Sequence, residues 1–547
     1  MINFMKTNSL FMKSSLLSFF YFFLLSIATA QSSAEKSIKI DPNCWIMEKL
    51  ASAKVKKNLV SYRNKFFQSD TVRLIGFIED YSPALEFTSG IIYSSNELTR
   101  EDYPITVQVY PDGRFEASYL ATHPKISYII FKNNRFKFYI EPGQTLALRL
   151  RVAADQNLVL IGFEGPLAAE NQQLSGFDWK KNVPVLYQST ESHLKTQPIL
   201  AIKKQILTAW DSVQNEISEQ LKKSYFSPKI KNLIQTEVAL MYAVQLMDLQ
   251  MYREHYLRNN PTNAFLKEPL PNDYFSFIAR LDLNSPAVLV QEEFSTFINR
   301  FEYSTLFRID AYYDALNRQR KGNLYLVLDS ANRKSNPAIA NTLVSEIAKL
   351  RSLKFALNGA ADTAGITKNT GQLLAVLTHK DLRNEALNLA ERIKKSRNGY
   401  LLPRTAAATI FKNITDKYRG KVVVVDFWAQ WCGPCRHGIE SMQGTRLKLK
   451  DNPNLVFVFV TDIEGTPDMA FYEDYIVKNS MFESYRVSAD EYRALRELFK
   501  FNGIPRYVLM DPDGIIRNDN FQMHNLTTEL PKNYPQLFTY QQMQGIN

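Results

Sequence analysis

Two cysteines separated by two residues are the strongest chemical signal in this 547-residue chain: Trp431-Cys432-Gly433-Pro434-Cys435. They follow a continuous β-branched run, Val422 to Val425, of the kind buried on both faces of a sheet. The pair therefore falls where a strand hands over to a helix. A helix N-terminus presents unpaired N–H groups and a partial positive charge, both of which favour thiolate over thiol. Cys432 is expected at that end, exposed and activated, with a pKa drawn toward ~7. Cys435, one turn inside, is expected to be shielded and within reach of its partner. Such a pair carries out dithiol–disulfide exchange through a mixed disulfide.

Other uses of the pair fit the sequence less well. Zinc needs two further ligands, usually a second cysteine pair, and Cys44 is the only other cysteine. Haem attachment needs histidine directly after the second cysteine, where Arg436 stands and His437 comes one place late. A peroxidatic cysteine usually follows a threonine three residues earlier, which here is Ala429.

The elements around the pair read as an α/β domain. Leu455 to Val460 and Arg506 to Met510 are further apolar strand runs, and Ser488 to Phe501 is helical, with Ser488 and Glu491 at capping-box spacing. Asp511-Pro512-Asp513-Gly514 marks a closing hairpin. Upstream, residues 70–152 alternate in strand fashion: Val72, Leu74 and Ile78 share one parity, as do Ile105, Val107 and Val109. Pro111-Asp112-Gly113, Asn133-Asn134 and Glu141-Pro142-Gly143 are turn signals, and the spacing predicts a small antiparallel β-sandwich. Residues 153–394 change to helical texture, with examples at Ile230 to Tyr256, Gln291 to Arg300 and Pro337 to Leu357. His193, His255 and His379 are isolated there, so no metal-ligand spacing appears. The expected organisation is a leader at 1–30, a segment at 31–69, the sandwich at 70–152, the helical region at 153–394 and the α/β domain at 395–547.

Composition limits the alternatives. Hydrophobic residues at 45% and charged residues at 22% argue against a disordered chain, and three cysteines cannot staple a scaffold of this size. The formal net charge of +11 comes from basic residues spread along the chain, with Lys54 to Lys57 and Arg318 to Lys321 as the tightest clusters. Neither carries a recognition motif, so the sequence does not indicate nucleic acid. At the N-terminus, Lys6 and Lys13 precede an apolar run from Leu16 to Ile27 and the small residues Ala28-Thr29-Ala30. That is the pattern of a cleaved export signal, with the mature chain starting at Gln31. No cysteine follows the small residues, so a lipoprotein is not expected; the chain is read as exported and periplasmic.

Asp426-Phe427-Trp428-Ala429 followed by Trp431-Cys432-Gly433-Pro434-Cys435 resembles the thioredoxin active-site signature, and Gly503-Ile504-Pro505 before a strand resembles that family's cis-proline loop. With the export signal and the Asp-Pro-Asp-Gly hairpin, residues 395–535 look like the TlpA/ResA-like extracytoplasmic thiol-disulfide oxidoreductases. More weakly, residues 70–152 look like the β-sandwich preceding such domains. The resemblance implies a thioredoxin-like C-terminal fold, with Cys432 as attacking thiol and Cys435 as resolving thiol. It implies that Asp426 is the buried acid handling the second proton, its pKa raised by desolvation. It implies a substrate-binding edge of Trp431, Gly433, Pro434, Ile504 and Pro505, with Trp428 in a packing position. The sequence departs from the family at Arg506, where threonine is usual, and at Glu440, where a proline commonly kinks the helix. Gly438 stands where many members carry glutamate, and no lysine in Leu455 to Val460 accompanies Asp426.

The leading expectation is an exported oxidoreductase acting on protein thiols and disulfides as a reductant. Gly-Pro between the cysteines resembles thioredoxin, at about −270 mV against roughly −120 mV for a strongly oxidising relative. Such a protein needs no soluble cofactor and no metal, since its electrons reside on the cysteine pair. It does need a membrane-bound thiol donor, because the compartment is oxidising. The alternatives are an oxidase or isomerase using the same pair, and an envelope ligand-binding or sensor protein with an accessory redox domain.

Overall fold

The computed structural model describes residues 41–53, 66–178, 190–318 and 322–544. Residues up to Lys49 and those from Leu50 onward are two compact units. The first is described from Asp41, where the helix Pro42–Ser52 begins and exposed Cys44 donates its thiol to Asp41 (3.3 Å). That carboxylate pushes the Cys44 thiol pKa up, first through the hydrogen bond and then through its charge. The leader expected at 1–30 lies outside the described residues.

The strands of the N-terminal region form one eight-stranded sheet in place of two facing sheets. Its order is Leu158–Glu164, Thr145–Val152, Asp70–Glu79, Arg114–Ala121, Ile105–Val109, Ser89–Ile92, Lys125–Phe131 and Asn134–Ile140. Neighbours are antiparallel except Asp70–Glu79 with Thr145–Val152, which run parallel. The two edges meet at one end, where Leu158 N–H donates to Asn134 Oδ1 (3.1 Å), giving the sheet a barrel-like closure. The hairpin turn falls at Lys132-Asn133, one residue before the expected place, because Phe131 already pairs with Asn134. Lys132 takes the left-handed conformation that the two-residue turn requires (φ 49°).

The middle of the chain is helical. Its longest member, Pro228–Asn259, is capped by Ser227 and buried over most of its circumference. The helix expected from Pro337 starts instead at Leu343, because Thr342 supplies the cap by accepting from Ser345 N–H (3.3 Å). One continuous apolar cluster runs from the sheet, through Val72, Phe115 and Leu148, into the helices at Leu240, Phe297 and Leu350. Among the described residues, no helix is long and apolar enough to cross a membrane.

The C-terminal domain is built on a five-stranded sheet ordered Glu483–Val487, Leu455–Asp462, Val422–Phe427, Arg506–Met510 and Ile516–Asn518. The first three run parallel and the last two antiparallel. Val422–Phe427 is the central strand and is buried along its whole length. Its odd residues, Val423, Val425 and Phe427, enter a core with Phe411, Tyr492, Leu495 and Phe499. Val422 and Val424 enter a second core with Leu449, Leu509 and Leu526. Strand periodicity therefore turns Asp426 to the second face, inside the domain. The helix Ala489–Leu498 carries the predicted capping box of Ser488 and Glu491. Asp511 Oδ1 accepts from Asp513 N–H (3.1 Å) and Ile515 N–H (2.8 Å), which closes the final hairpin.

Candidate active site

The central strand ends at Phe427, and Cys432 caps the helix Gly433–Ser441 five residues later. Pro434 lies in the first turn, where its missing N–H costs nothing. Cys432 and Cys435 are joined as a disulfide, with their Cα atoms 5.3 Å apart. The Cys435 N–H points at Cys432 Sγ (3.2 Å), so a helix-terminal donor is already aimed at the sulfur that would carry negative charge.

Cys432 is not exposed as its position at a helix end suggests. In the disulfide it is 3% accessible, and Cys435 is fully buried. Both sulfurs belong to an apolar cluster with Trp428, Ile439, Phe459 and Tyr475, and Cys432 Sγ lies 3.8 Å from the Ile504 carbonyl oxygen. The exposed rim is made by Trp431 (68% accessible), Gly433 and Pro434. Ile504 and Pro505 complete it on the other side, half-buried and joined by a cis peptide. The two tryptophans separate: Trp431 faces solvent, while Trp428 is buried against Tyr475 and Tyr472, with ring centroids 5.3 and 6.4 Å away.

Asp426 is 2% accessible, and its Oδ1 makes no hydrogen bond. Burial pushes its carboxyl up to about 7, with the Arg446 guanidinium pulling weakly the other way. Arg446 is the residue that sequence reading missed. The helix is interrupted at Met442, two residues beyond Glu440, even without the family's proline. The following segment, Gln443–Leu449, carries Arg446 into the interior. Its Nη1 donates to Ile439 O and its Nη2 to Asn479 O, both at 2.8 Å. Its guanidinium also covers Phe459 (5.2 Å), the strand partner of Asp426. The positive charge expected from a strand lysine thus comes from a helix. In the sequence Arg446 is one basic residue among others, with Lys448 and Lys450 close by.

The other departures also have local accounts. A Cβ at Gly438 would lie 3.0 Å from the Tyr507 hydroxyl, so that ring occupies the space a side chain would need. Glu440 accepts from the Tyr475 hydroxyl (3.0 Å) and steadies the ring stacked on Trp428. Arg506 donates to Phe499 O (2.8 Å) and to Asp519 (3.2 Å), which ties down the chain just after Pro505. Among the described residues, no group of three or more His, Cys, Asp or Glu side chains converges as metal ligands would.

Residues 420–516 match a family model described as thioredoxin-like, and the C-terminal part of this chain is a thioredoxin-like domain. Probable nucleoredoxin 1 of Arabidopsis thaliana is 30% identical over 105 residues, which are 19% of this chain and 18% of that protein. A thioredoxin-like protein of Synechocystis sp. is 35% identical over 63 residues, 10% of this chain and 58% of the relative. The chain thus spans less than two thirds of either relative. Among solved structures, the thioredoxin domain of a thiol-disulfide oxidoreductase from Bacteroides vulgatus is similar at 22% identity. That match covers 22% of this chain and 83% of the other, with a TM-score of 0.20. A secreted thiol-disulfide isomerase from Corynebacterium glutamicum is similar at 17% identity, covering 21% and 70%, with a TM-score of 0.18.

The elevated carboxyl has a measurable consequence. Because Asp426 holds its proton more tightly folded than unfolded, its contribution to folding stability is greatest below the unfolded pKa of about 4 and falls as pH rises toward 7. Asp426→Asn removes that loss. Urea unfolding will show the asparagine variant gaining on the native chain between pH 4 and pH 8, by on the order of 4 kcal/mol. A gap that stays constant with pH contradicts the raised pKa.

Proposed function

We propose that this chain is an exported thiol-disulfide oxidoreductase that reduces disulfides in protein substrates through Cys432-Gly433-Pro434-Cys435. The observation that carries the reading is the cysteine pair at a helix N-terminus, in a chain whose preceding strand buries Asp426 with its pKa raised to about 7. The Cys432 thiolate attacks one sulfur of the substrate disulfide. The other substrate sulfur leaves as a thiolate and takes a proton. Asp426, ionised, accepts the Cys435 proton, and the Cys435 thiolate attacks Cys432 Sγ. The second substrate sulfur leaves, and the pair closes as a disulfide. Two electrons pass to the substrate, and the rate of the second step rises with pH through about 7 as Asp426 ionises.

Ile504 and Pro505, with the rim of Trp431, Gly433 and Pro434, form the edge against which substrate docks. The Lys6 to Ala30 pattern supports export to the periplasm. In an oxidising compartment the pair must be recharged, and a membrane-bound thiol donor is the partner that supplies those electrons. The reductant direction rests on Gly-Pro between the cysteines, which is the loop of the reducing thioredoxins.

Cys435→Ser will accumulate a mixed disulfide between Cys432 and substrate proteins, released by dithiothreitol, whereas Cys432→Ser will accumulate none; equal capture by both variants rules out Cys432 as the attacking thiol. Equilibration with glutathione or dithiothreitol buffers will give a potential near about −270 mV, and a value above roughly −180 mV overturns the reductant direction. N-terminal sequencing of the exported chain will begin at Gln31, and membranes will re-reduce its disulfide. Retention of residues 1–30, or membranes without effect, removes the corresponding part of the reading.

A further inference from the structure

The loop that carries Ile504 and Pro505 is held from outside its own domain. Asn502 donates its backbone N–H to Asp102 Oδ2 (3.0 Å), and its Nδ2 to Asp102 Oδ1 (3.2 Å) and the Ser94 carbonyl (2.9 Å). Asp102 belongs to a small hairpin, Ser95–Asn96 paired with Glu101–Asp102, that stands off the eight-stranded sheet. That hairpin is fixed from behind by the helical region. Arg351 donates to the Glu97 carbonyl (2.5 Å), Lys354 to the Arg100 carbonyl (2.7 Å) and Arg392 to Glu101 (2.6 Å). Beyond Pro505, Arg506 is tied within the C-terminal domain. The loop is therefore pinned at both ends, at 502 by the N-terminal region and at 506 by its own domain. Between the pins, the Ile504 carbonyl faces Cys432 Sγ.

A carboxyl group whose two oxygens each accept an N–H of the same residue is a directional grip. We propose that Asp102 is a positioning residue for disulfide exchange. Through Asn502 it fixes the Ile504–Pro505 edge where the backbone of a peptide or protein disulfide docks beside Cys432. This rests on the exchange reading above. It makes the N-terminal sheet part of substrate selection: disulfides flanked by peptide groups use the edge, and small disulfides without them do not. Two other contacts cross the same seam without touching the loop. Asp490 accepts from Thr88 N–H (3.0 Å) and Ser89 Oγ (2.6 Å), and Glu497 accepts from Thr106 N–H (2.9 Å). They provide the control.

The test is steady-state reduction by the full chain, with dithiothreitol as electron source, of a disulfide-bonded peptide and of a small aromatic disulfide. Asp102→Ala and Asn502→Ala will each raise KM for the peptide about tenfold while kcat and the rate with the small disulfide stay within about twofold. Glu497→Ala, which loosens the seam but leaves the loop, will keep the peptide KM within about twofold of native. Asp102→Asn retains one acceptor for the Asn502 N–H, will fall between, and carries the comparison if the alanine variant loses its cooperative melt. Unchanged peptide KM in the Asp102 and Asn502 variants overturns the proposal. So does equal slowing on both substrates, or an equal rise with Glu497→Ala. A native chain that reduces neither substrate removes the exchange reading itself, which is a different failure.

Discussion

A carboxyl group buried near the end of the central strand, with one oxygen lacking any hydrogen-bond partner, is the constraint around which the C-terminal domain is arranged. Asp426 occupies a position that strand periodicity gives to the interior, on the face of Val422 and Val424. An ionised carboxylate there carries a heavy desolvation cost, and a direct salt bridge would lower the pKa and fix the charge. The domain adopts neither extreme. Arg446 is held by two backbone carbonyls and a phenylalanine ring, close enough to offset part of the desolvation but committed elsewhere by its hydrogen bonds. The carboxyl is left near neutrality, which is where a proton can move in either direction during the proposed exchange.

What the sequence makes legible here is chemistry carried by contiguous residues. Cys432 as a helix cap, Pro434 in the first turn, the Ser488–Glu491 box and the buried central strand each follow from a few neighbouring side chains, because local hydrogen bonding and periodicity decide them. Arg446 was hidden because its meaning depends on a helix break that no proline announces. The grip of Asp102 on Asn502 was hidden for a stronger reason: it joins residues 400 positions apart in sequence. The N-terminal strands were legible one at a time, but their pairing was not. Alternation of apolar residues is the same in a sandwich and in one curved sheet, and the parallel pairing of Asp70–Glu79 with Thr145–Val152 leaves no local mark. The buried state of Cys432 was likewise illegible, since it comes from packing with residues distant in sequence, Phe459, Tyr475 and Ile504, rather than from its place on the helix.

The two halves of the molecule meet in a way that differs from their interiors. The sheet and the central helices share one apolar cluster, whereas the thioredoxin-like domain keeps its own. Across the seam, carboxylates on Ala489–Leu498 accept from main-chain N–H groups of the sheet at Thr88 and Thr106. An apolar seam tolerates small slides because its attraction is non-directional. Hydrogen bonds to backbone groups do not, because they weaken steeply once distance and angle depart from a narrow range. The seam is therefore built for orientation more than for adhesion.

The ion network behind the hairpin argues the same way. Burial pushes the Glu97 carboxyl up, yet Lys125 and His123 hold it well below the usual carboxylate range, so it stays charged in the interior. Glu302 is shared by Arg351 (3.0 Å) and Arg100, and Glu101 receives Arg392. Buried pairs of this kind roughly break even against apolar packing in stability, because desolvation cancels most of their attraction. Their distinctive contribution is that only one arrangement leaves no charge unpaired. A hairpin framed by such pairs cannot drift without exposing an unpaired buried charge at a cost of about 3–5 kcal/mol. It therefore delivers Asp102 to one place, and through Asn502 sets the height of the loop over the disulfide. The helical region contributes Arg351, Lys354 and Arg392 to this delivery, alongside Arg100, His123 and Lys125 from the N-terminal region itself.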